Sequence, residues 1–127
     1  MQRKFCMCFH VLGDMGANAV ITFTVPSDCQ LVHVSACQSD SDAAAFTIGD
    51  SGDADEYLTT SAVGASGTPN EFDGDDFVDA DGNSHTKYYP HIAAGTVMII
   101  TVDYDYNAGQ GSGNAADLTL VLTFLEG

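Results

Sequence analysis

The sequence predicts an all-β protein, a single antiparallel β-sandwich of about eight strands with a jelly-roll-like order. Apolar and polar residues alternate with period two along most of the chain, and clusters of Gly, Pro, Asn and Asp separate the alternating runs. No run has the period of an amphipathic helix. Since 127 residues suffice for one ordinary hydrophobic core, we expect residues 1–127 to form a single domain.

The strands are predicted at 4–12, 19–25, 31–38, 44–49, 56–62, 86–92, 96–104 and 117–125. In the first, Phe5, Met7 and Phe9 point to one face while Cys6 and Cys8 point to the other. The last two runs are apolar on both faces, so we expect them to be central strands covered by a second sheet or a neighbouring subunit.

Three segments lie outside these strands. Residues 1–4 are predicted to form a short N-terminal arm, and residues 62–84, rich in Gly, Ser, Pro and Asp, an extended acidic loop. Residues 109–113 read Gly-Gln-Gly-Ser-Gly and lack the lysine of a phosphate-binding loop, so they predict a flexible hairpin.

The charge of the chain is strongly negative and unevenly distributed. The formal net charge is −15, and residues 40–81 hold twelve of the eighteen carboxylates but none of the three Lys and Arg residues. Nucleic acids and anionic membranes require clustered Lys and Arg, so direct binding to either is not expected. We expect the acidic block to face water.

The N-terminal residues do not resemble a signal peptide, because Cys6, Cys8 and His10 interrupt the apolar run. No apolar run reaches the ~18 residues that span a bilayer. We therefore expect a soluble protein made in the cytoplasm. There the four cysteines would stay reduced, and buried free thiols are predicted.

Three oxygen-bearing side chains at alternate positions, Asp79, Asp81 and Asn83, make a weak calcium candidate. The full calcium-loop pattern is absent, since Ser84 replaces its glycine and Pro90 its bidentate glutamate. Solvated acidic loops are the favoured interpretation. No cofactor is expected, and calcium remains the alternative.

Two further patterns imitate chemical sites. Cys6, Cys8 and His10 share one strand face, but alternate strand positions about 7 Å apart do not readily converge on one zinc ion, so a packing role is favoured. Ser51 lies in a Gly-Asp-Ser-Gly sequence without the partners of a catalytic triad and predicts a turn. We expect no enzymatic activity.

The candidate interface residues are the aromatic and basic groups outside the acidic block. Two groups are predicted: Arg3, Lys4 and Phe5 at the N-terminus, and Tyr88, Tyr89 and His91 beyond residue 84. Tyrosine and arginine are enriched in interface hot spots.

Three segments resemble small β-sandwich structural proteins of tailed bacteriophages, most of all capsid decoration (cement) proteins. Residues 23–37 have the pattern of an apolar strand, Pro26, a polar turn, and then Leu31, Val34 and Ser35. Residues 93–105 and 117–127 are similar to the closing hairpin of those proteins.

The resemblance implies a virion protein that binds the outer surface of an assembled capsid, often as a homotrimer, and stabilises capsomer contacts. Its partner would be the major capsid protein. A carbohydrate- or receptor-binding jelly-roll module of a phage head fibre or tail is the alternative. In the absence of Trp, its sugar platforms would be Tyr57, Tyr88, Tyr89, Tyr104 and Tyr106. A cupin-like metal enzyme is a further alternative, but it is disfavoured because the four histidines are scattered and the chain has only three glutamates.

Overall fold

A computed structural model of the protein describes residues 3–40, 44–106 and 115–127. These residues form nine strands: β1 (Lys4–Asp14), β2 (Ala19–Thr24), β3 (Cys29–Cys37), β4 (Ala45–Asp50), β5 (Asp53–Ala62), β6 (Asn70–Phe72), β7 (His91–Ile92), β8 (Val97–Asp103) and β9 (Ala116–Glu126). The described ranges contain no helix, and hence none long and apolar enough to cross a membrane.

The strands form two antiparallel sheets. Sheet A has the order β1-β9-β3-β6, with the short β7 also pairing with β3, and sheet B has the order β2-β8-β4-β5. Except between β4 and β5 and between β6 and β7, consecutive strands lie in opposite sheets. If β6 and β7 count as one interrupted strand, this order is that of an eight-stranded jelly roll. The predicted fold class is confirmed.

The core lies between the sheets and consists of the side chains that alternate strand positions direct inward. β9 contributes Leu118, Leu120, Leu122 and Phe124, and β8 contributes Met98, Ile100 and Val102, all at most 1% exposed. β9 lies between β1 and β3, and β8 between β2 and β4. The prediction that these two apolar runs are central strands is confirmed.

The predicted strand at 86–92 shrinks to the two residues of β7. Lys87 has a φ of 56°, which a β-strand does not accommodate. Pro90 has no N–H to donate, and its carbonyl accepts the backbone N–H of Leu31. Residues 86–90 therefore keep the alternating sequence pattern of a strand, although their backbone is not part of the sheet.

The extended loop predicted at 62–84 is interrupted by structure. β6 pairs with β3 there, and Phe77 and Val78 are buried. The N–H of Val78 also donates to the carbonyl of Tyr57 on β5. Single apolar residues separated by aspartates produce no periodic signal, so these contacts were not predictable. The predicted hairpin at 109–113 lies outside the described residues.

The four cysteines are free thiols, but only part of the burial prediction holds. Cys29 is fully buried, whereas Cys6 and Cys8 are exposed and Cys37 is half-buried. The prediction was wrong for Cys6 and Cys8 because β1 is an edge strand whose outer face is left uncovered by the residues that the structure describes. Burial raises the pKa of the Cys29 thiol to about 11, and the nearby Asp28 and Glu126 charges add to the shift.

Candidate functional site

One row of paired residues crosses the outer face of sheet A. Lys4 pairs with Leu125, Leu125 with Gln30, and Gln30 with His91. With strands about 4.8 Å apart, Lys4 and His91 lie roughly 14 Å from each other across four strands. The row therefore places Lys4 and His91, which are far apart in the sequence, on one face of the sheet.

A groove runs beside this row, and we call it the sheet A groove. It is lined by Lys4, Gln30, Val32, His33, Tyr89, Thr123 and Leu125. The register of β3 against β9 shifts between Leu31 and His33. Such a bulge breaks strict alternation, and Val32 and His33 are both half-buried as a result.

Tyr89 reaches the groove by passing over a glycine. A Cβ atom at Gly74 would lie 2.8 Å from two ring carbons of Tyr89 and 2.9 Å from the Cα of Lys87. Only glycine therefore allows this approach. Since Asp73, Asp75 and Asp76 surround Gly74 in the sequence, the acidic loop borders the groove rather than lying away from it.

Two pairs of oppositely charged or hydrogen-bonding side chains lie near the groove. Arg3 Nη2 lies 3.5 Å from Glu126 Oε1, and His33 Nε2 lies 3.3 Å from Glu71 Oε1. Lys4 adds one positive charge at the rim. The groove therefore combines a positive charge from Lys4 with the carboxylates of the loop around Gly74.

The structure brings together four of the six predicted interface residues and separates two. Lys4, Tyr89 and His91 lie at one end of the outer face of sheet A, and Arg3 adjoins Lys4 in the chain, with its side chain paired to Glu126. Phe5 points inward instead, with its ring 5.1 Å from that of Phe124.

The ring of Tyr88 lies 5.8 Å from the ring of His85, on the acidic loop. Gln30, Val32, His33 and Leu125 were missed as groove residues. These four residues become neighbours through the order of the strands in sheet A. The sequence pattern of a single chain does not reveal that order.

The calcium candidate is a tight turn built on one carboxylate. Asp79 Oδ1 accepts the backbone N–H groups of Asp81 and Asn83 at 2.9 and 3.0 Å, and Oδ2 lies 2.6 Å from His85 Nε2. The His85 hydrogen bond, with the two backbone donors, holds the pKa of Asp79 below its usual range. Calcium binding here stays a prediction.

The turn between β4 and β5 is another carboxylate-centred structure. Asp50 accepts the N–H groups of Gly52 and Asp53 and the hydroxyl of Tyr57, at 2.9 to 3.0 Å. Ser51 is an exposed residue of this turn, as predicted. Across all described positions, His, Cys, Asp and Glu side chains form no group of three or more that could hold a metal ion.

The carboxylates of β5 repel one another. A side-chain hydrogen bond with Asp53 and its charge raise the pKa of Asp55, while the pKa of Asp53 itself is lowered. The pKa of Glu56 is raised, mainly by burial and then by Asp53. This crowding lies on the far edge of sheet B from β2.

The fold is similar to that of a viral capsid chain. Over 99% of this chain and 85% of the other, the protein matches a chain from the cyanophage Pam1 capsid asymmetric unit, with 16% identity and a TM-score of 0.54. At this identity the likeness establishes a shared fold.

A chain from a structure of infectious bursal disease virus, Gx strain, has 14% identity over 99% of this chain and 38% of the other. Its TM-score of 0.25 does not indicate a common fold. No family model matches the sequence, and no curated protein matches it.

Proposed function

We propose that the protein is a structural virion component that binds the outer surface of an assembled phage capsid and stabilises contacts between capsomers. The observation that carries this proposal is the fold shared over 99% of the chain with a chain of a cyanophage capsid asymmetric unit. Because that match covers 85% of the other chain, the two are of similar size. The partner would be the major capsid protein, and we assign the protein no catalytic role.

The distribution of charge supports a role on the outside of a capsid. The acidic residues of β5 and of the loop that connects β6 to β7 are at least partly exposed, as a water-facing side requires. With a net charge of −15, contact with packaged DNA is unfavourable, and a membrane is an equally poor partner. The location would be the virion surface, after synthesis in the host cytoplasm.

The sheet A groove is the best candidate for the capsid contact. It combines the aromatic ring of Tyr89 with the hydrogen-bonding groups of Gln30 and His33 and the positive charge of Lys4. Aromatic residues are enriched in protein interfaces, and hydrogen-bonding side chains are common in them. Repeated engagement of many copies on one particle would compensate for a modest area per contact.

The experiment mixes purified heads that lack the protein with purified protein and measures occupancy by cryo-EM. Density on the outer surface is expected, and the double variant Lys4→Glu and Tyr89→Ala should reduce occupancy at least tenfold. The matched control is Thr22→Ala on the outer face of β2, which should bind normally. Absence of density from the head surface would overturn the proposal. The homotrimer implied by the resemblance is read from the same maps.

One observation favours a second candidate, a carbohydrate- or receptor-binding module of a head fibre or tail. The groove places Tyr89, which is 37% exposed, beside Gln30 and His33. An aromatic face next to hydrogen-bonding side chains is a common composition of small-molecule sites. Specific binding on a glycan array, abolished by Tyr89→Ala, would favour this function over capsid binding.

A further inference from the structure

β1 presents a free backbone edge. Within the described ranges it pairs only with β9, so its other side has no strand partner. The carbonyl of Arg3 accepts the N–H of Glu126, which shows that the odd-numbered residues of β1 direct their backbone groups toward β9. The N–H and C=O groups of Cys6, Cys8, His10 and Leu12 therefore point away from the sheet.

This edge lacks the charges that usually prevent strands from pairing between molecules. Exposed edges are commonly blocked by charged residues, prolines or a covering loop. In β1 the only charged residues are Lys4 and Asp14, one at each end of an eleven-residue strand. β5, an edge of sheet B, instead carries Asp53, Asp55 and Glu56 and is contacted by Val78.

The core is also open along this side of the sandwich. The inward side chains of the two edge strands are only partly buried: Phe5, Met7, Phe9 and Val11 on β1, and Ala19, Ile21 and Phe23 on β2. Their counterparts on β8 and β9 are at most 1% exposed. An apolar seam therefore follows the free edge for its whole length.

We propose that β1 pairs antiparallel with β1 of a second copy of this chain, across a two-fold axis through Phe9. In this register Cys8 lies opposite the partner's His10 and Cys6 opposite the partner's Leu12. Each of these residues has its backbone groups on the free edge, so the ladder needs no rearrangement. Beyond the bulge that Gly13 introduces, Lys4 lies near the partner's Asp14.

Charge complementarity selects a second copy as the occupant. The two-fold register brings Lys4 to Asp14 twice, once at each end of the contact. No other centre of antiparallel pairing between two copies of β1 places Lys4 opposite Asp14. The same two-fold operation buries each apolar seam against its identical partner, as isologous interfaces require.

The negative charge of the chain does not oppose this contact. The carboxylates of β5 are three strands away from β2, roughly 14 Å, which exceeds the screening length of about 8 Å at physiological salt. In the dimer the two sets of β5 carboxylates lie on opposite outer edges. The β1–β1 contact does not depend on the proposed capsid function. It is also compatible with a homotrimer, because two-fold contacts can join neighbouring trimers on a capsid surface.

A cross-link tests the register directly. His10→Cys, in a background with Cys6→Ser and Cys37→Ser, would place a thiol opposite the partner's Cys8 at a Cα separation of about 5.5 Å, which a disulfide accepts. We expect a covalent dimer after mild oxidation, with the linkage between positions 8 and 10 shown by peptide mapping. Thr22→Cys in the same background is the matched control and should give little dimer. A linkage between other positions would overturn the register.

Solution mass and an edge-blocking variant complete the test. Light scattering of the unmodified protein should give a mass that corresponds to an even number of chains, each of 13.3 kDa. Cys8→Pro removes an N–H of the free edge but none directed to β9, and should weaken the dimer roughly tenfold or more. Thr22→Pro on β2 is its control, and circular dichroism reports folding.

Two results would contradict the pairing of second copies. The first is a monomer at every concentration without the 8–10 linkage. The second is a cross-link from position 10 to a capsid protein in reconstituted heads, which would assign the edge to a capsid strand instead. If Cys8→Pro does not fold, the cross-link still decides.

Discussion

The ring of Phe9 on β1 lies 5.0 Å from the ring of Phe23 on β2, with 39° between the ring planes. This contact joins the edge strands of the two sheets where the core is most open. Phe9→Ala should lower the free energy of unfolding by roughly 2 kcal/mol, less than the ~3–5 kcal/mol of a fully buried phenylalanine. Urea denaturation at one fixed chain concentration measures it. Thr22→Ala is the control, and an equal loss in both variants would contradict the role of the ring pair.

Two glycines make a matched pair for testing close approach in the β4–β5 hairpin. A Cβ atom at Gly49 would clash with the carbonyl oxygen of Asp53 and the carbonyl carbon of Ala54. Gly49→Ala should therefore destabilise the fold by roughly 1–3 kcal/mol or more. Gly16→Ala meets no atom within 4 Å and should have little effect. Thermal denaturation compares the Gly49→Ala and Gly16→Ala variants. Similar melting temperatures would show that the β4–β5 hairpin can shift to accommodate the added methyl group.

A buried amide connects the end of β3 to the start of β9. Gln38 is 1% exposed, and its Oε1 accepts the N–H of Ala116 at 3.1 Å. Gln38→Leu would leave that N–H without its acceptor in the interior, at a cost of about 1–3 kcal/mol. Chemical denaturation measures the loss, and hydrogen exchange should show faster exchange at Ala116. Unchanged exchange there would argue that water or another group replaces the amide.

The Asp79 turn should respond to acid. The native pKa of Asp79 lies below the value near 3.9 of an unfolded aspartate, so its contribution to stability is complete above pH ~4 and is lost as the pH falls through the native pKa. Carbon NMR of the Asp79 carboxyl group follows the titration. His85→Ala should move the midpoint upward, whereas His10→Ala should not. An unchanged titration midpoint of Asp79 in the His85→Ala variant would contradict the hydrogen bond between His85 and Asp79 Oδ2.

The cysteines should differ in reactivity. Cys6 and Cys8 are exposed, whereas Cys29 is buried with a pKa raised to about 11, so almost none of it is thiolate at pH 8. Iodoacetamide at pH 8 should modify Cys6 and Cys8 in the native protein and Cys29 only after unfolding. Peptide mapping by mass spectrometry reads each site. Fast labelling of native Cys29 would show that the sandwich opens at that end.

Period-two alternation identified the strands in which local pattern and burial agree. β1, β8 and β9 were predicted nearly to their ends because each keeps one face toward the core. β6 was missed since it has three residues, two of them exposed, and owes its place to pairing with β3. β7 was predicted too long because the positive φ of Lys87 leaves no mark on the alternation.

The candidate site was predictable only as a list of residue types. Lys4, Tyr89 and His91 were selected as aromatic or basic groups outside the acidic block, and the strand order then placed them at one end of sheet A. Phe5 was selected for the same reason but belongs to the core. Which residues stand next to one another depends on β9 lying between β1 and β3, a long-range pairing that no local pattern encodes.

The position of β9 in the sequence and in sheet A also affects when sheet A can form during synthesis. Every other described strand precedes it in the sequence, yet both β1 and β3 need it as their neighbour. During synthesis from the N-terminus, β1 therefore stays unpaired until β9, more than a hundred residues later in the sequence, has been made. Pairing at such a separation is slow and leaves apolar strands accessible meanwhile. Chaperone demand and losses to aggregation should consequently depend more on substitutions in β9 than on those in the acidic loops.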